Sequence, residues 1–536
     1  MIKALEIEVG LCHTVKREVF SEDCGIFIGG RRGSVERYAL GIDIGTTSVK
    51  VLLISESGKI VAEAVRGHDL LSPYQNWAEE KADIWWSNTV EAVREISQKK
   101  PDELRSTVSI GCSGMVPAIV LLDEQGRPVR NTIQQNDARA IDQIDRVTEA
   151  LDQELLYEQT GGRTNQQHII PRLLWVKENE PEVWARVRWI MGSYDYIVYM
   201  LSGERSLELN WAAESGCYDI RRGVWLTEQL ERFGIPASFL PPVNEPTRVV
   251  ARTKPELEAL MGLPGGIPIV AGSADHVAST LAAGIVDEGD LLIKFGGAGD
   301  ILYCTEKLET SPKLFFDYHD VPGKYLLNGC MAASGSLVKW YTKDVLRSDD
   351  PQILKTLDRE AETLPAASDG LIVLPYFLGE KTPLFDPTAR GVIFGLTLSH
   401  TRAHIFRAIL ESVVYGFRHH IDVLTEMGYR PRQIIATDGG AKSPLWCQIS
   451  ADVLGAPVRA YPSHPGSALG VAFVAGMSAG LFSDWGEIRS FLSDWRDYEP
   501  QPDAVKVYDR AYALYRGLYP ALQNSCQGLR SLYENV

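Results

Sequence analysis

Apolar residues in the first third of the chain fall into two short runs that flank a polar turn. The runs lie within residues 40–54, and this pattern predicts a β-hairpin. Gly45 lets a backbone approach an anion closely, and Thr46 and Thr47 add hydroxyl donors to the turn. Asp43, just before the turn, can bind Mg²⁺ through oxygen. The turn is therefore predicted to bind a phosphate group, and an ordinary buried hairpin with polar turn residues is the alternative.

The same pattern occurs again at residues 291–303, where two apolar runs flank the turn Gly296-Gly297-Ala298-Gly299. When the two hairpins are aligned, Lys294 stands where Asp43 stands, two residues before the glycine. Lys294 is predicted either to bind a phosphate as a point charge or to pair with a nearby acid such as Asp300. The repeat favours two related halves over a single ordinary hairpin.

A third glycine turn follows a predicted strand at residues 434–438. The turn consists of Gly439, Gly440 and Ala441. Ser443 is suited to cap a following helix, Pro444 to its first position, and Gly455 to its end. Glycine turns and helix N-termini bind phosphate groups, so three such elements indicate a nucleotide held between two halves.

The periodic pattern also predicts the domain organisation. Mixed α/β periodicity begins at Tyr38, and a polar turn at residues 287–290 divides it into two halves. One helix is predicted at residues 171–179 and another within residues 399–429. The predicted segments are an irregular N-terminal extension at 1–36, a first domain at 37–287, a second domain at 288–490 and a helical C-terminal segment at 491–536.

Length and charge limit the function further. A chain of 536 residues is long enough for two large domains. The net charge of −16 argues against nucleic acid or an anionic membrane as the main partner, but a local site can still bind a nucleotide. The P-loop pattern G-x-x-x-x-G-K-[ST] is absent, and the second turn lacks the G-x-G-x-x-G spacing of a dinucleotide fold.

The cysteines and the apolar runs indicate a cytoplasmic protein. The eight cysteines are scattered and none has the spacing of a metal-binding pair, which is typical of reduced thiols. The longest apolar run, at residues 470–481, is too short to span a bilayer and is predicted to be a packed helix.

A carboxylate follows a third apolar strand at residues 269–274. Asp275 comes directly after small residues that would let a ligand approach, so it can accept the proton of a hydroxyl group. The alternative is a helix N-cap at Asp275. Isolated histidines of this kind are more often structural residues than ligands, so His276 and the pair His419-His420 are predicted to be structural.

Two segments of the first half together supply polar side chains and one aromatic ring. They contain Trp77 with Glu79, and Asp137 with Arg139. Carbohydrate sites use carboxylates for hydroxyls and a ring for an apolar sugar face. Each segment taken alone is more often ordinary surface structure.

These motifs resemble the FGGY family of carbohydrate kinases over residues 38–490. The resemblance rests on Gly41-Ile42-Asp43-Ile44-Gly45-Thr46-Thr47, residues 271–275, Asp438-Gly439-Gly440-Ala441-Lys442-Ser443, and a signature that runs from Gly391 to Glu411. Gly379-Glu380-Lys381-Thr382-Pro383 is similar to the xylulose kinase branch. The resemblance implies an α/β fold of two ribonuclease H-like domains, of the actin/hexokinase/Hsp70 type, that form a clamshell. It implies a sugar-binding first domain and a nucleotide-binding second domain, with ATP between them.

The resemblance also implies roles for individual residues. Asp275 matches the family's catalytic base, and Asp43 matches its Mg²⁺-associated acid. Thr46 and Thr47 match the phosphate turn, Gly439, Gly440 and Ala441 match the adenosine loop, and the sugar pocket matches Trp77, Asp137, Arg139 and His276. The further residues predicted to bind ATP are Gly45, Lys294, Gly296, Gly297 and Ser443, and Glu79 is a further predicted sugar-binding residue. ATP and Mg²⁺ are the implied cofactors, and a homodimer is an expected assembly.

The chain departs from the xylulose kinase branch at three places. Met115-Val116-Pro117 replaces Gln-Met-His, Gln135 replaces a tryptophan, and Gly296-Gly297-Ala298 replaces Gly-Thr-Ser. These differences leave open which ketose or polyol is phosphorylated. The expected function is ATP-dependent phosphorylation of a small sugar hydroxyl, and the alternative is a non-catalytic, nucleotide-gated sugar binder or sensor on the same fold.

Overall fold

The computed structural model describes residues 36–74 and 76–533 of the chain. The irregular extension predicted at residues 1–36 lies outside this part, apart from its last residue. The described chain is an α/β structure built on two large mixed sheets. Among the described residues, no helix is both long enough and apolar enough to cross a membrane.

The first sheet contains the predicted first hairpin. Its main strands lie in the spatial order Ile60–Gly67, Ser48–Ser55, Tyr38–Ile44, Thr107–Gly114, Pro268–Val270 and Val249–Arg252, and Ser273–Ala274 also pairs with Thr107–Gly114. The third, fourth and fifth strands of this order are parallel to one another, and the other neighbours are antiparallel. The carboxyl ends of the parallel strands thus meet at one edge of the sheet, where Asp43 lies near the end of its strand.

The second sheet repeats this order and adds one strand at its edge. Its strands lie in the order Phe315–Tyr318, Tyr325–Met331, Gly299–Thr305, Asp290–Phe295, Gln433–Asp438, Val458–Ala460 and Arg496–Tyr498. From the second strand onward, the sequence of antiparallel and parallel pairings is the same as in the first sheet. The repeated topology confirms the two related halves that the two hairpins predicted.

Strand register gives Asp43 and Lys294 equivalent places in the two sheets. Asp43 is opposite Lys50 in its hairpin and opposite Ser113 in the neighbouring parallel strand. Lys294 is opposite Asp300 and Thr437 in the corresponding positions. The sign of the charge is therefore reversed between the two halves.

Helices cover the sheets and connect their strands. The α-helices are Ala82–Lys99, Pro101–Arg105, Ile141–Ala150, Gln153–Thr160, Ile169–Asn179, Pro181–Trp184, Ser193–Ser202, Leu209–Glu214, Thr227–Arg232, Leu257–Met261, Asp275–Ala282, Gly335–Trp340, Ile353–Glu362, Arg402–Glu426, Pro444–Leu454, Ser467–Ser478 and Pro502–Tyr533. Shorter 3₁₀ segments are Ala237–Phe239, Ser368–Gly370, Gly440–Lys442 and Trp485–Phe491, and Tyr341–Val345 is a π-helical turn.

Short strand pairs complete the structure. They are formed by Glu79–Glu80 with Thr132–Ile133, Val120–Leu122 with Trp189–Met191, Leu207–Glu208 with Val243–Asn244, Tyr218–Asp219 with Val224–Trp225, and Ile372–Leu374 with Val392–Phe394.

One helix of the predicted second domain packs on the first sheet. Ser467–Ser478 contacts the strands Tyr38–Ile44 and Thr107–Gly114 and the helix Asp275–Ala282. A side chain at Gly470 would lie 1.9 Å from the carbonyl oxygen of Ala278, so only glycine fits there. The domain bounds stay a prediction, but this contact joins residues from both sides of the proposed boundary in one apolar cluster.

Candidate active site

Asp43 lies at the end of its strand beside the predicted phosphate turn. Its Oδ1 accepts a hydrogen bond from the Ser113 hydroxyl at 2.9 Å. Burial raises the pKa of Asp43 to about 7, the nearby Asp275 carboxylate adds to the rise, and the Ser113 hydrogen bond opposes it. Lys50 and Lys294 also oppose the rise of the Asp43 pKa. The carboxylate oxygens of Asp43 are the kind of ligand that a divalent cation binds.

Asp275 is the first residue of the helix Asp275–Ala282. The N-cap position belongs to Ala274, which makes no side-chain cap hydrogen bond. The side chain of Asp275 is 34% exposed. The N-cap explanation for Asp275 is therefore wrong, and its carboxylate is open to a ligand.

Lys294 projects from the second sheet toward the same group of acids. Its ammonium nitrogen lies 3.8 Å from Asp300 Oδ2, at the outer limit of an ion pair. Burial opposes its charge, but Asp300, Asp438 and Asp275 outweigh that effect and raise the pKa of Lys294. Asp275 raises the pKa of both Asp43 and Lys294, so its charge acts on one residue from each hairpin.

The two predicted phosphate turns are built differently. In the first, the Gly45 amide donates to the Ser48 carbonyl at 2.9 Å, and the Thr46 hydroxyl lies 3.3 Å from the sulfur of Met115. Thr47 is exposed. In the second, the carbonyls of Gly296 and Gly297 accept backbone hydrogen bonds from residues 334–336. The second turn is thus held by backbone contacts where the first has hydroxyl side chains.

The third glycine turn has the predicted capping. Ser443 accepts a hydrogen bond from the Trp446 amide at 3.1 Å, Pro444 begins the helix, and Gly455 ends it with a φ of 62°. A side chain at Gly440 would lie 2.5 Å from the Cβ of Phe295. Gly439 is exposed, and Ala441 is buried in the same turn. These observations confirm the predicted helix start and end, whereas nucleotide binding by the turn stays a prediction.

Four of the predicted sugar-binding residues form a single network. Arg139 contacts Glu79 at 2.8 Å and Asp137 at 2.7 Å, and its guanidinium carbon lies 3.7 Å from the centre of the Trp77 ring. Asp137 also accepts from the Ala78 amide at 2.6 Å. Both carboxylates bind Arg139, so these side chains hold one another in place in the first half. A direct role in sugar binding stays a prediction for these residues.

His276, the fifth predicted sugar residue, lies between the two halves. Its Nδ1 is 3.5 Å from Asp275 Oδ1, and its Nε2 is 3.1 Å from Asp317 Oδ2 and 3.7 Å from Glu214 Oε1. Burial opposes the imidazolium, but Asp317, Asp275 and Glu214 outweigh it and hold the pKa of His276 well above its usual value. We call Glu214, His276 and Asp317 the histidine cluster. Their ligand atoms lie within 4.8 Å of one another, close enough to share one small ligand.

Within the pair His419-His420, His420 makes hydrogen bonds of the kind expected for a structural residue. His420 is buried and contacts the Thr382 hydroxyl at 2.9 Å and the Gly416 carbonyl at 2.8 Å. Burial lowers the pKa of His420 to about 4 and that of His419 to about 3.

Known protein families match the chain in two separate ranges, one in each half. Residues 38–282 match the N-terminal domain of the FGGY family of carbohydrate kinases, and residues 305–479 match its C-terminal domain. The chain belongs to this family. It is a carbohydrate kinase, and enzymes of this family use ATP. Its fold is the two-domain fold of the actin/hexokinase type that the sequence predicted.

Similar proteins include kinases for two kinds of acceptor. The chain is 29% identical to a xylulose kinase of Bacillus subtilis over 502 residues, which cover 93% of this chain and 100% of that protein. It is 28% identical to a gluconokinase of Bacillus licheniformis, with 91% and 96% covered. The crystal structure of a xylulose kinase from Rhodospirillum rubrum superposes with a TM-score of 0.87 at 40% identity, covering 92% of this chain and 100% of that one.

Sequence reasoning missed several acids near Asp275, among them Glu214 and Asp317. They come from a short helix and an edge strand that are distant from each other in the sequence. Asn210 hydrogen-bonds the backbone of Tyr318 at 2.8 and 3.0 Å, and this contact holds the edge strand against the first half. One feature of the sequence could have indicated Asp317. It is an acid within the aromatic run Phe315-Phe316-Asp317-Tyr318, and a charged residue in such a buried run needs a partner.

Proposed function

We propose that this FGGY kinase transfers the γ-phosphoryl group of ATP to a hydroxyl of a small ketose or related polyol, with Asp275 as the general base. The observation that supports the proposal is that Asp43 and Lys294 occupy equivalent places in the two sheets and that Asp275 influences the charge of both. Phosphoryl transfer needs mainly alignment and neutralisation of charge. A carboxylate for the hydroxyl proton and an ammonium for a phosphate meet this need.

Each residue has a defined task in the proposal. Asp275, partly exposed at the start of its helix, accepts the proton of the acceptor hydroxyl as its oxygen attacks the γ-phosphorus. Lys294 binds a phosphate oxygen from the second half. The hydroxyls of Thr46 and Thr47 donate to phosphate from the first half.

The oxygen donors near Asp43 suit a hard cation. Asp43 has one oxygen bound to Ser113, and its carboxylate is disfavoured by burial and by Asp275. Mg²⁺ prefers such carboxylate oxygens and, with bound phosphates, neutralises their charge. We therefore assign Mg²⁺ binding to Asp43.

Two further parts of the proposal concern location and assembly. The described cysteines are all free thiols, which favours a cytoplasmic protein.

A homodimer is supported by an apolar surface on the second half. Phe394, the last residue of the edge strand Val392–Phe394, is 51% exposed, and Leu396 and Leu398, in the loop that follows, are 55% and 108% exposed.

Replacement of Asp275 tests the proposed base. The Asp275→Asn enzyme should keep its fold and bind ATP, but its kcat should fall by roughly 10²-fold or more, as expected for loss of a general base. The measurement is sugar-dependent ADP release at saturating ATP, with ATP affinity measured by calorimetry. Asp349→Asn, at a fully exposed carboxylate, is the matched control. Near-wild-type turnover of Asp275→Asn on the best acceptor would refute the assigned role.

A further inference from the structure

Several polar atoms around the histidine cluster are buried without a hydrogen bond. Asp317 Oδ1 and the neighbouring Asn328 Oδ1 have none, and Glu214 Oε1 and His276 Nε2 have only ion-pair contacts, with each other at 3.7 Å and between His276 Nε2 and Asp317 Oδ2 at 3.1 Å. The side chain of Asp317 is only 1% exposed, and its other oxygen accepts from Asn328 at 2.9 Å. Buried polar atoms are paired in most proteins, so a group of unpaired atoms at one place needs an explanation. A ligand that carries several hydroxyls would pair with them.

A cavity adjoins this cluster. Glu214 forms part of its wall, together with the amides of Asn165 and Gln167 and the rings of Phe315 and Phe316. Amides bind hydroxyl groups, and aromatic rings pack against the C–H face of a sugar. The path from this wall to the reacting centre is short, because His276 lies 3.7 Å from Glu214 and 3.5 Å from Asp275.

The charges of this region disfavour an anionic acceptor. Among the described residues that line the cavity, none is a lysine or arginine, and burial lowers the pKa of His168 to about 4. His276 is the cation of the histidine cluster, and it already faces Asp317 and Asp275. Glu214 and Asp317 face His276 at 3.7 and 3.1 Å, so the histidine cluster already holds more acids than cations. A carboxylate on the acceptor would find no free cation there, whereas hydroxyls would find donors and acceptors.

We propose that the histidine cluster and the adjoining cavity bind the hydroxyl-bearing end of the acceptor, and that they select a neutral polyhydroxy compound over an aldonate. This inference rests on the proposed function, because it takes Asp275 as the residue next to the reacting hydroxyl. It separates the two acceptor types found among the similar proteins, which include both xylulose kinases and gluconokinases. Glu214 is then a specificity-determining residue.

The experiment compares acceptors and variants. Wild-type enzyme is assayed for ADP release with D-xylulose, D-ribulose, L-ribulose, xylitol and D-gluconate at saturating ATP. The highest kcat/KM should belong to a neutral member and exceed that of D-gluconate by at least about 100-fold, the effect expected when a buried charge lacks a partner. Glu214→Ala should raise the KM of the best acceptor by about tenfold or more and leave the KM of ATP unchanged. Glu154→Ala, at an exposed residue paired with Arg163, is the matched control and should change neither constant.

The possible results separate this inference from the proposed function. Calorimetric titration of the best acceptor without ATP should show weaker binding to Glu214→Ala, which reports the site independently of phosphoryl transfer. D-gluconate as the best acceptor, or an unchanged sugar KM in a folded Glu214→Ala enzyme, would overturn the inference while leaving a kinase. Stoichiometric Zn²⁺ retained by wild type and lost from Glu214→Ala would also overturn it, because the cluster would then be a metal site. Absence of ADP release with every acceptor would instead contradict the proposed function.

Discussion

At the scale of single residues, Lys294 gives the clearest test of how the two halves share the nucleotide. It takes the place of Asp43 in the second sheet, and its pairing with Asp300 at 3.8 Å is too long to use its charge fully. If Lys294 binds a phosphate, Lys294→Ala should raise the KM of ATP by about tenfold or more, because a hydrogen bond to a charged group contributes about 1.5–3 kcal/mol. Steady-state kinetics with ATP as the varied substrate measures the effect.

The control for this prediction is Lys313→Ala, which removes a surface lysine paired with Glu426 at 2.8 Å. It should leave both kcat and the KM of ATP unchanged. If Lys294→Ala behaves in the same way and only its melting temperature changes, then Lys294 merely stabilises its hairpin through Asp300.

The residues that could be predicted from sequence belong to local motifs. Asp43 and Lys294 stand at fixed distances before a glycine, and Asp275 follows a strand of small residues, so a short window of sequence is enough to find each. Glu214 and Asp317 belong to no such motif, because they meet only when an edge strand of one half packs on a helix end of the other. The burial of Glu214 and Asp317 and their pairing with His276 arise from that contact, so a short window of sequence does not reveal them. The network around Arg139 was likewise not visible in the sequence: its ion pairs with Glu79 and Asp137 and its contact with the Trp77 ring join two separate segments, and sugar binding by these residues stays a prediction.

At the scale of elements, the helix Ser467–Ser478 was predicted as a packed helix, but its partner could not be read from the sequence. Its apolar residues are buried on all sides, so no amphipathic face indicates where it packs. The structure shows that small residues set the partner. Gly41, Gly111 and Gly470 allow close backbone contacts between this helix, two strands of the first sheet and the helix that begins at Asp275.

Substitution at Gly470 tests this close packing. Alanine favours a helix over glycine by about 1 kcal/mol, but a methyl group at Gly470 would meet the Ala278 carbonyl oxygen at 1.9 Å. Gly470→Ala should therefore lower the free energy of unfolding by about 1–3 kcal/mol, as overpacking does. It should also lower kcat, since it displaces the helix that carries Asp275. Chemical denaturation and the ADP assay measure the two effects.

Gly517→Ala is the matched control because Gly517 also lies inside a helix, and a methyl group there would contact nothing within 4 Å. This variant should be as stable as wild type or more stable. Equal stability of Gly470→Ala and Gly517→Ala would mean that the two helices move apart at little cost.

At the scale of the whole molecule, the repeated sheet explains why the reacting groups come from distant parts of the chain. Each half contributes one hairpin end, and the two ends differ in the sign of one charge. The hairpins and the repeat could be predicted from the sequence because each is a local pattern. The strand order of both sheets and the added strand Phe315–Tyr318 depend on long-range pairing and became visible only in the structure.

The proposed homodimer also depends on the whole molecule. Each chain has a net charge of −16, so two copies repel each other unless they meet at an uncharged surface. Residues 391–399 contain no charged side chain, and the strand Val392–Phe394 within them pairs on one side only. Two copies can approach there without bringing charged side chains of this segment together, and they would bury Phe394, Leu396 and Leu398 across a twofold axis. Leu398→Glu should therefore convert a dimer to a monomer, measured by light scattering coupled to size-exclusion chromatography at micromolar concentration.

The matched control is Leu514→Glu, at a leucine that is 62% exposed on the C-terminal helix, and this variant should remain dimeric. A wild-type protein that is monomeric under these conditions, or a Leu398→Glu protein that stays dimeric, would show that this surface does not join two copies.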